Sequence, residues 1–229
     1  MHYQMNMATL SRVSQPVKRR YNSAGRRVAA ARRRAAILEA ATRLFLTTGY
    51  PATTMAAIAA EAGVTAETVY TVVGTKAELF RLLTETAISG TGEPVPVLER
   101  DYIAALRAES SGRGKLRIYA AAMTDIQQRM APLYRMVQQA AAVEPALAEI
   151  WQDLLNRRAR NMPLLTEHLE SAGLLRGGLT RQEAADTVWA VNSTEVYQLM
   201  TETRGWSPGR YQQWLASTLI RLLLPDESE

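Results

Sequence analysis

The chain has 229 residues, 47% of them hydrophobic, with no cysteine and a formal net charge of +5. That length holds about two domains' worth of core, and the missing thiols exclude disulfides, thiol switches and zinc–thiolate sites. No apolar run approaches the ~18 residues of a membrane span, and the Arg-rich start lacks the apolar stretch of a signal peptide, so a soluble, cytoplasmic protein without a membrane partner is expected.

Residues 1–24 lack periodicity and read as a basic, disordered arm containing Lys18-Arg19-Arg20. Arg26-Arg27 and Arg32-Arg33-Arg34 follow closely. Residues 1–81 hold 12 Lys and Arg against 4 Asp and Glu, a net of +8, whereas the remainder holds 15 basic and 18 acidic residues, a net of −3. The positive field is therefore concentrated at one end, as in a nucleic-acid binder. The arm either adds phosphate or minor-groove contacts or is a solvated tail.

A first helix carries its apolar face from Ile37 to Phe45. Gly49-Tyr50-Pro51 ends it, because Gly suits a left-handed cap and Pro cannot continue the ladder. Thr53 or Thr54 can cap the next helix, on which Met55, Ile58, Ala59 and Ala62 recur at helical spacing. Gly63 supplies a tight bend, Val64 packs beneath it, and Thr65 caps another helix running to about Val72. On that helix Val69, Val72 and Val73 point one way, while Glu67 and Thr71 centre the opposite face with Thr68 and Tyr70 on its flanks. An apolar inner side and short polar groups outside, after a short turn, fit the recognition helix of a helix-turn-helix, though spacing alone also fits an ordinary αα corner.

The rest reads as helix throughout. The elements expected are 75–89, a Gly/Pro linker at 89–96, then 97–109, 113–130, 132–142 and 145–172, with Pro163 kinking or splitting the last. Gly173 and Gly177-Gly178 are breaks, and Thr180 with Glu183 forms a capping-box signature for a helix to about Thr203. Ser207-Pro208 opens a final helix. Its Tyr211, Trp214, Leu215, Thr218, Leu219 and Leu222 form a stripe that serves either a partner chain or the monomer core.

Gly49-Tyr50, Thr53-Thr54-Met55, Ile58-Ala59, Ala62-Gly63-Val64-Thr65, Thr68-Val69-Tyr70 and Lys76 with Leu79-Phe80 together resemble the DNA-binding domain of the tetracycline-repressor (TetR) family, over residues 30 to 82. The resemblance implies an all-α protein: a helix-turn-helix domain over 25–74, and a larger helical ligand-binding and dimerisation domain over 75–229. It implies that Thr54, Thr65, Tyr70 and Lys76 meet the DNA backbone, which suits hydroxyls and a cation at helix N-termini. Base reading would then fall to Glu67, Thr68 and Thr71, with Ala66 able to touch only a thymine methyl. Ala66, and Thr71-Val72-Val73, depart from the residues common in the family. Glu67 either accepts from cytosine or complements its helix dipole.

The resemblance further implies a homodimer built on the last two long helices, a double-stranded palindromic operator, and release of repression by a small apolar effector. A second, C-terminal likeness to a group of actinobacterial-type regulators, through Pro94-Val95-Pro96, Asn192-Ser193 and Arg204-Gly205-Trp206, names no effector. Pocket candidates are Tyr119, Met123, Gln127, Trp151, Trp189, Asn192 and Glu195, with Met130, Tyr134, Met136 and Met162 as further adaptable walls or plain core. Asn192 and Glu195 interrupt an apolar helix, where polar groups either line a cavity or pair across a dimer.

An enzyme is not expected. His2 and His168 are the only histidines, Glu167-His168 and Glu170 lack the Glu-x-x-His spacing of a di-iron bundle, and there is no phosphate loop or nucleophile elbow. No cofactor, metal site or catalytic residue follows from the sequence. A ligand-independent activator or architectural DNA binder is the alternative, and a helical-bundle enzyme is a more distant one.

Overall fold

Helix α1 (Ser23–Thr48) is amphipathic only along its C-terminal half, where Ile37, Leu38, Ala40, Ala41 and Phe45 are buried. The computed structural model describes residues 23–142 and 144–226, with side chains from residue 25, so Lys18-Arg19-Arg20 and the rest of the arm to residue 22 lie outside the described residues. Arg26, Arg27, Arg32 and Arg33 belong to the exposed N-terminal turns of α1. Helices α2 (Met55–Glu61), α3 (Ala66–Val73) and α4 (Lys76–Ser89) complete the N-terminal unit. Phe45, Tyr50 and Phe80 stack at its centre with ring centroids 5.2–5.9 Å apart. Such tilted and edge-on pairs stabilise beyond simple area burial.

A 3₁₀ turn (Val97–Glu99) and α5 (Asp101–Ala108) stand where one helix over 97–109 is expected. Helix α6 (Gly112–Ala140) runs unbroken through Pro132, correcting the expected division there. Proline removes one main-chain donor, but tertiary packing on both sides holds the rod together. Ala131, beside it, also accepts a side-chain bond from Gln198 Nε2 at 3.0 Å. Helix α7 (Pro145–Ser171) likewise passes through Pro163 as one element.

The expected helix to Thr203 is interrupted. It becomes α8 (Arg181–Val191), α9 (Thr194–Gln198) and a π-helical turn (Leu199–Thr203). The break is stabilised from within: Asn192 O accepts from Gln127 Nε2 and Arg158 Nη2, both at 3.1 Å, and Ser193 recaps the chain by accepting from Val196 N at 3.1 Å. Helix α10 (Pro208–Leu223) closes the bundle. Tyr211, Leu215 and Leu219 of its stripe are fully buried within the protomer, leaving Trp214 and Thr218 half-buried and Leu222 exposed on an adjoining face.

Two apolar cores result. The first joins α1–α4 to the C-terminal half of α6 (Met130, Leu133, Met136, Val137) and the N-terminal half of α7 (Leu147, Ile150, Leu154). The second joins α5, the other halves of α6 and α7, and α8–α10, with Leu116, Leu169, Leu215 and Leu219 at 0% exposure. The N-terminal unit is thus not a separate globule, since its core continues into the body across residue 75.

Candidate nucleic-acid interface and internal cavity

The exposed surface of the N-terminal unit is set by caps. Thr54, not Thr53, caps α2, its hydroxyl accepting from Ala57 N at 3.1 Å. Thr53 is buried and spends its hydroxyl on the carbonyls of Gly49 and Leu44 at 2.7 and 3.2 Å. Thr65 caps α3 by accepting from Thr68 N at 3.2 Å, and the two hydroxyls lie 2.8 Å apart. Val69 and Val73 anchor the inner side of α3, so its outer side is fixed in rotation. Glu67, Tyr70 and Thr71 are exposed there, Thr68 is half-buried, and Ala66 packs partly against the core. Thr71 donates its hydroxyl back to Glu67 O at 2.8 Å, a bond a base would have to replace or share.

The next cap orients α4. Thr75 and Glu78 form a reciprocal capping box, and its two bonds to Thr75 hold the Glu78 carboxyl below the usual carboxylate range. Gly74 adopts φ +73°, which favours glycine, and a Cβ there would also crowd the Glu78 carboxylate of the box. Lys76 lies over the Tyr50 ring at 4.3 Å and donates to Pro51 O at 3.3 Å. Partial burial pushes its ammonium pKa down, against an opposing effect of Glu144.

Where the two cores meet, α4–α7 and the α8–α9 break enclose a cavity of about 380 Å³. Ile88 of α4 is on its wall, as are Tyr102, Ile103 and Leu106 of α5 and Tyr119, Met123, Ile126 and Met130 of α6. Helix α4 is tied to this region by Arg157, which pairs with Glu85 and also lies 3.2 Å from Asp153. Arg81 reaches the same Asp153 at 3.2 Å, and Arg129 Nε donates to Ala87 O at 2.6 Å.

Of the seven pocket candidates read from sequence, the structure brings Tyr119, Met123, Gln127 and Asn192 together on the cavity wall. Glu195 stands one step behind, accepting from the Tyr134 hydroxyl at 2.9 Å, while Tyr134 itself lines the cavity. Trp151 packs on the Tyr134 ring at 4.4 Å between centroids, away from the wall. Trp189 is 38% exposed, with the Arg158 guanidinium over its ring at 5.4 Å. Met162 lines the cavity and Met136 is core. Burial pushes the Tyr119 and Tyr134 hydroxyls above the ordinary phenol value, so both remain protonated donors at neutral pH.

Two polar residues at the cavity, Arg157 and Arg158, escaped sequence reasoning. Neither carries a signal on a helix otherwise rich in charge. His168 is satisfied, as a lone helix histidine usually is: its Nε2 lies 2.9 Å from Lys115 Nζ. Lys115, only 3% exposed, also donates to Leu106 O at 2.7 Å and to Glu109 O, capping the end of α5. Among the described residues no group of three or more His, Asp or Glu gathers as a metal-ligand set, and no helix is long and apolar enough to cross a membrane.

Residues 37–83 match the model of bacterial regulatory proteins of the tetR family. No curated protein matches the chain in sequence. Among solved structures, a tetR-family transcriptional regulator from Mesorhizobium loti superposes with a TM-score of 0.64 at 20% identity, covering 86% of this chain and 98% of its own. SmeT bound to triclosan gives 0.66 at 19%, covering 86% and 94%. NalD, the secondary repressor of the MexAB-OprM multidrug efflux pump in Pseudomonas aeruginosa, gives 0.64 at 22%, covering 85% and 97%. At those identities the structural likeness speaks for the fold, and the match over residues 37–83 speaks for the reading unit. Residues 37–83 therefore carry the DNA-binding domain of bacterial regulatory proteins of the tetR family, and the described chain has the helical fold of TetR-family regulators.

Proposed function

We propose that the protein is a homodimeric repressor that binds a palindromic operator and is released when a small apolar effector enters the cavity between its two cores. The carrying observation is that Ile88, on the wall of this cavity, belongs to the same helix as Leu79, Phe80 and Leu83 of the reading core. An occupant that bound better with α4 displaced would shift the population of reading-head positions by its differential affinity.

On the DNA side, Thr54, Thr65, Tyr70 and Lys76 serve as backbone contacts, with Glu67, Thr68, Thr71 and the partly buried Ala66 facing the bases. The exposed hydroxyls at the starts of α2 and α3 support this, because helix N-termini favour phosphate. Arg26, Arg27, Arg32 and Arg33 on the exposed turns of α1 add positive charge to the N-terminal unit. Two heads are needed for specificity, since one short helix reads few base pairs. The half-buried and exposed Trp214, Thr218 and Leu222 recur at four-residue spacing on α10 and suit a second copy.

A gel shift with DNA from upstream of the gene, against scrambled DNA of equal length, tests the reading. Specific retardation that a small apolar compound abolishes is expected. Specific binding that no compound relieves favours the ligand-independent activator or architectural protein. A monomer by light scattering at micromolar concentration would remove the dimer.

A further inference from the structure

The polar atoms at the α8–α9 break do not balance. Gln127 Nε2 and Arg158 Nη2 both donate to Asn192 O, and Arg158 Nη2 also donates to Trp189 O at 3.0 Å. Arg158 Nη2 and one proton of Gln127 Nε2 are thereby committed to main-chain carbonyls. The Asn192 side chain donates through Nδ2 to the Tyr119 hydroxyl at 3.0 Å, and that hydroxyl in turn points at Met162 Sδ, 3.6 Å away. Asn192 is 2% exposed, lines the cavity, and has no partner for Oδ1. Turning the amide over would let Tyr119 donate to Oδ1, but then Nδ2 would be left unmet. In either orientation one end of the amide is open, and buried amides are rarely left so.

The open end calls for a hydrogen-bonding partner from the occupant, a donor for Oδ1 in the orientation observed, and the walls decide its carrier. Arg100, Arg107, Arg157 and Arg158 line the cavity against one carboxylate, Glu167, which disfavours an ammonium. In the orientation observed, a carboxylate would set its lone pairs against Oδ1, and Arg158 Nη2 is already given to two main-chain carbonyls. The remaining wall is largely aliphatic and aromatic, and a volume of about 380 Å³ suits a small ligand. Resting on the reading of this cavity as the effector site, we propose that the effector class is a neutral, mainly apolar molecule bearing a hydroxyl group that hydrogen-bonds the open end of the Asn192 amide. A hydroxyl both donates and accepts, so it serves either amide orientation.

The test uses the full chain and matched compounds on two frames: 4-phenylphenol, biphenyl and biphenyl-4-carboxylate, then 2-naphthol, naphthalene and 2-naphthoate. Binding is read by calorimetry and by loss of the operator gel shift. Each phenol is expected to bind about tenfold tighter than its hydrocarbon, the span of one well-made hydrogen bond, with the carboxylate the weakest. In Asn192→Ala the preference should shrink to about twofold or less, while hydrocarbon binding persists. Asn192→Leu, closer in size, guards against a packing defect, and thermal melts establish that both variants fold. Equal binding of phenol and hydrocarbon with operator release intact would overturn the hydroxyl and leave the effector site standing. A phenol preference unchanged in both variants, or a tighter carboxylate, would do the same. If none of these compounds binds or releases DNA, the hydroxyl proposal and the effector reading fall together.

Discussion

The two cores of this molecule are built to different standards of completeness. The reading-head core is filled, with Phe45, Tyr50 and Phe80 interlocked and Thr53 fully bonded inside it. The distal core borders the cavity that lies between the two, breaks a helix at Asn192, and leaves the Asn192 amide oxygen and the Tyr211 and Thr218 hydroxyls without partners. A unit that must present a fixed face benefits from having one packing. A unit that must answer to something else needs unmet valence and space. Under the proposed function the difference in packing is a difference in task, carried on two shared rods, α6 and α7.

The most forceful way to break this comparison is Phe80→Ala. Removing a fully buried ring from the filled core costs about 3–5 kcal/mol, and because that core includes Met130 to Ile150 of the body, urea unfolding should remain one transition at a lower midpoint. Two separate transitions would make the reading head independent after all. Next in size is Lys76→Ala, expected to weaken DNA binding about tenfold on every sequence and to lower the salt slope by about one. An unchanged slope in fluorescence anisotropy would take Lys76 off the phosphate backbone.

A subtler probe sits between the cores. Arg157→Met removes the tie to Glu85 and Asp153; with both sides of the Glu85 pair about a quarter exposed, stability should fall by less than about 1 kcal/mol. Its larger effect is expected on effector response, read as the ligand concentration that half-releases operator DNA. The smallest effect concerns acid. Each region has one capping box, closed by Glu78 or Glu183, and both carboxyls are held low by bonds to Thr75 or Thr180. Their stabilisation is complete above the ordinary carboxylate value of about 4.3 and is lost as pH falls through the lowered folded value. Glu78→Gln and Glu183→Gln should each flatten the acid side of a melting-temperature profile slightly, and by similar amounts.

The reading head was legible because its information is local. Gly63, Thr65 and the valines of α3 act within a few residues of one another, so caps and periodicity found α2 and α3 to within a residue or two. The body was less legible for a matching reason. Pro132 signals a break, yet packing against α4, α7, α9 and α10 keeps α6 whole. The capping box at Thr180 signals a long helix, yet Gln127 and Arg158, 65 and 34 residues away in sequence, hold the chain open at Asn192. Tyr119, Met123, Gln127 and Asn192 came from residue type at helical spacing. Arg158 and Lys115 had no such signal, because a charge on a helix normally faces water.

Pro132 has a mechanical consequence. It sits where α6 leaves one core for the other, between Met123 on the distal side and Leu133 and Val137 on the reading-head side. A continuous α-helix resists bending because opening one side stretches its main-chain bonds. At Pro132 the bond that would resist is absent by chemistry, so flexing the rod there sacrifices no further rung. Gln198 braces the joint from outside by holding Ala131 O. Helix α6 is in this sense a lever with its fulcrum built in, stiff within each core and compliant at the border between them.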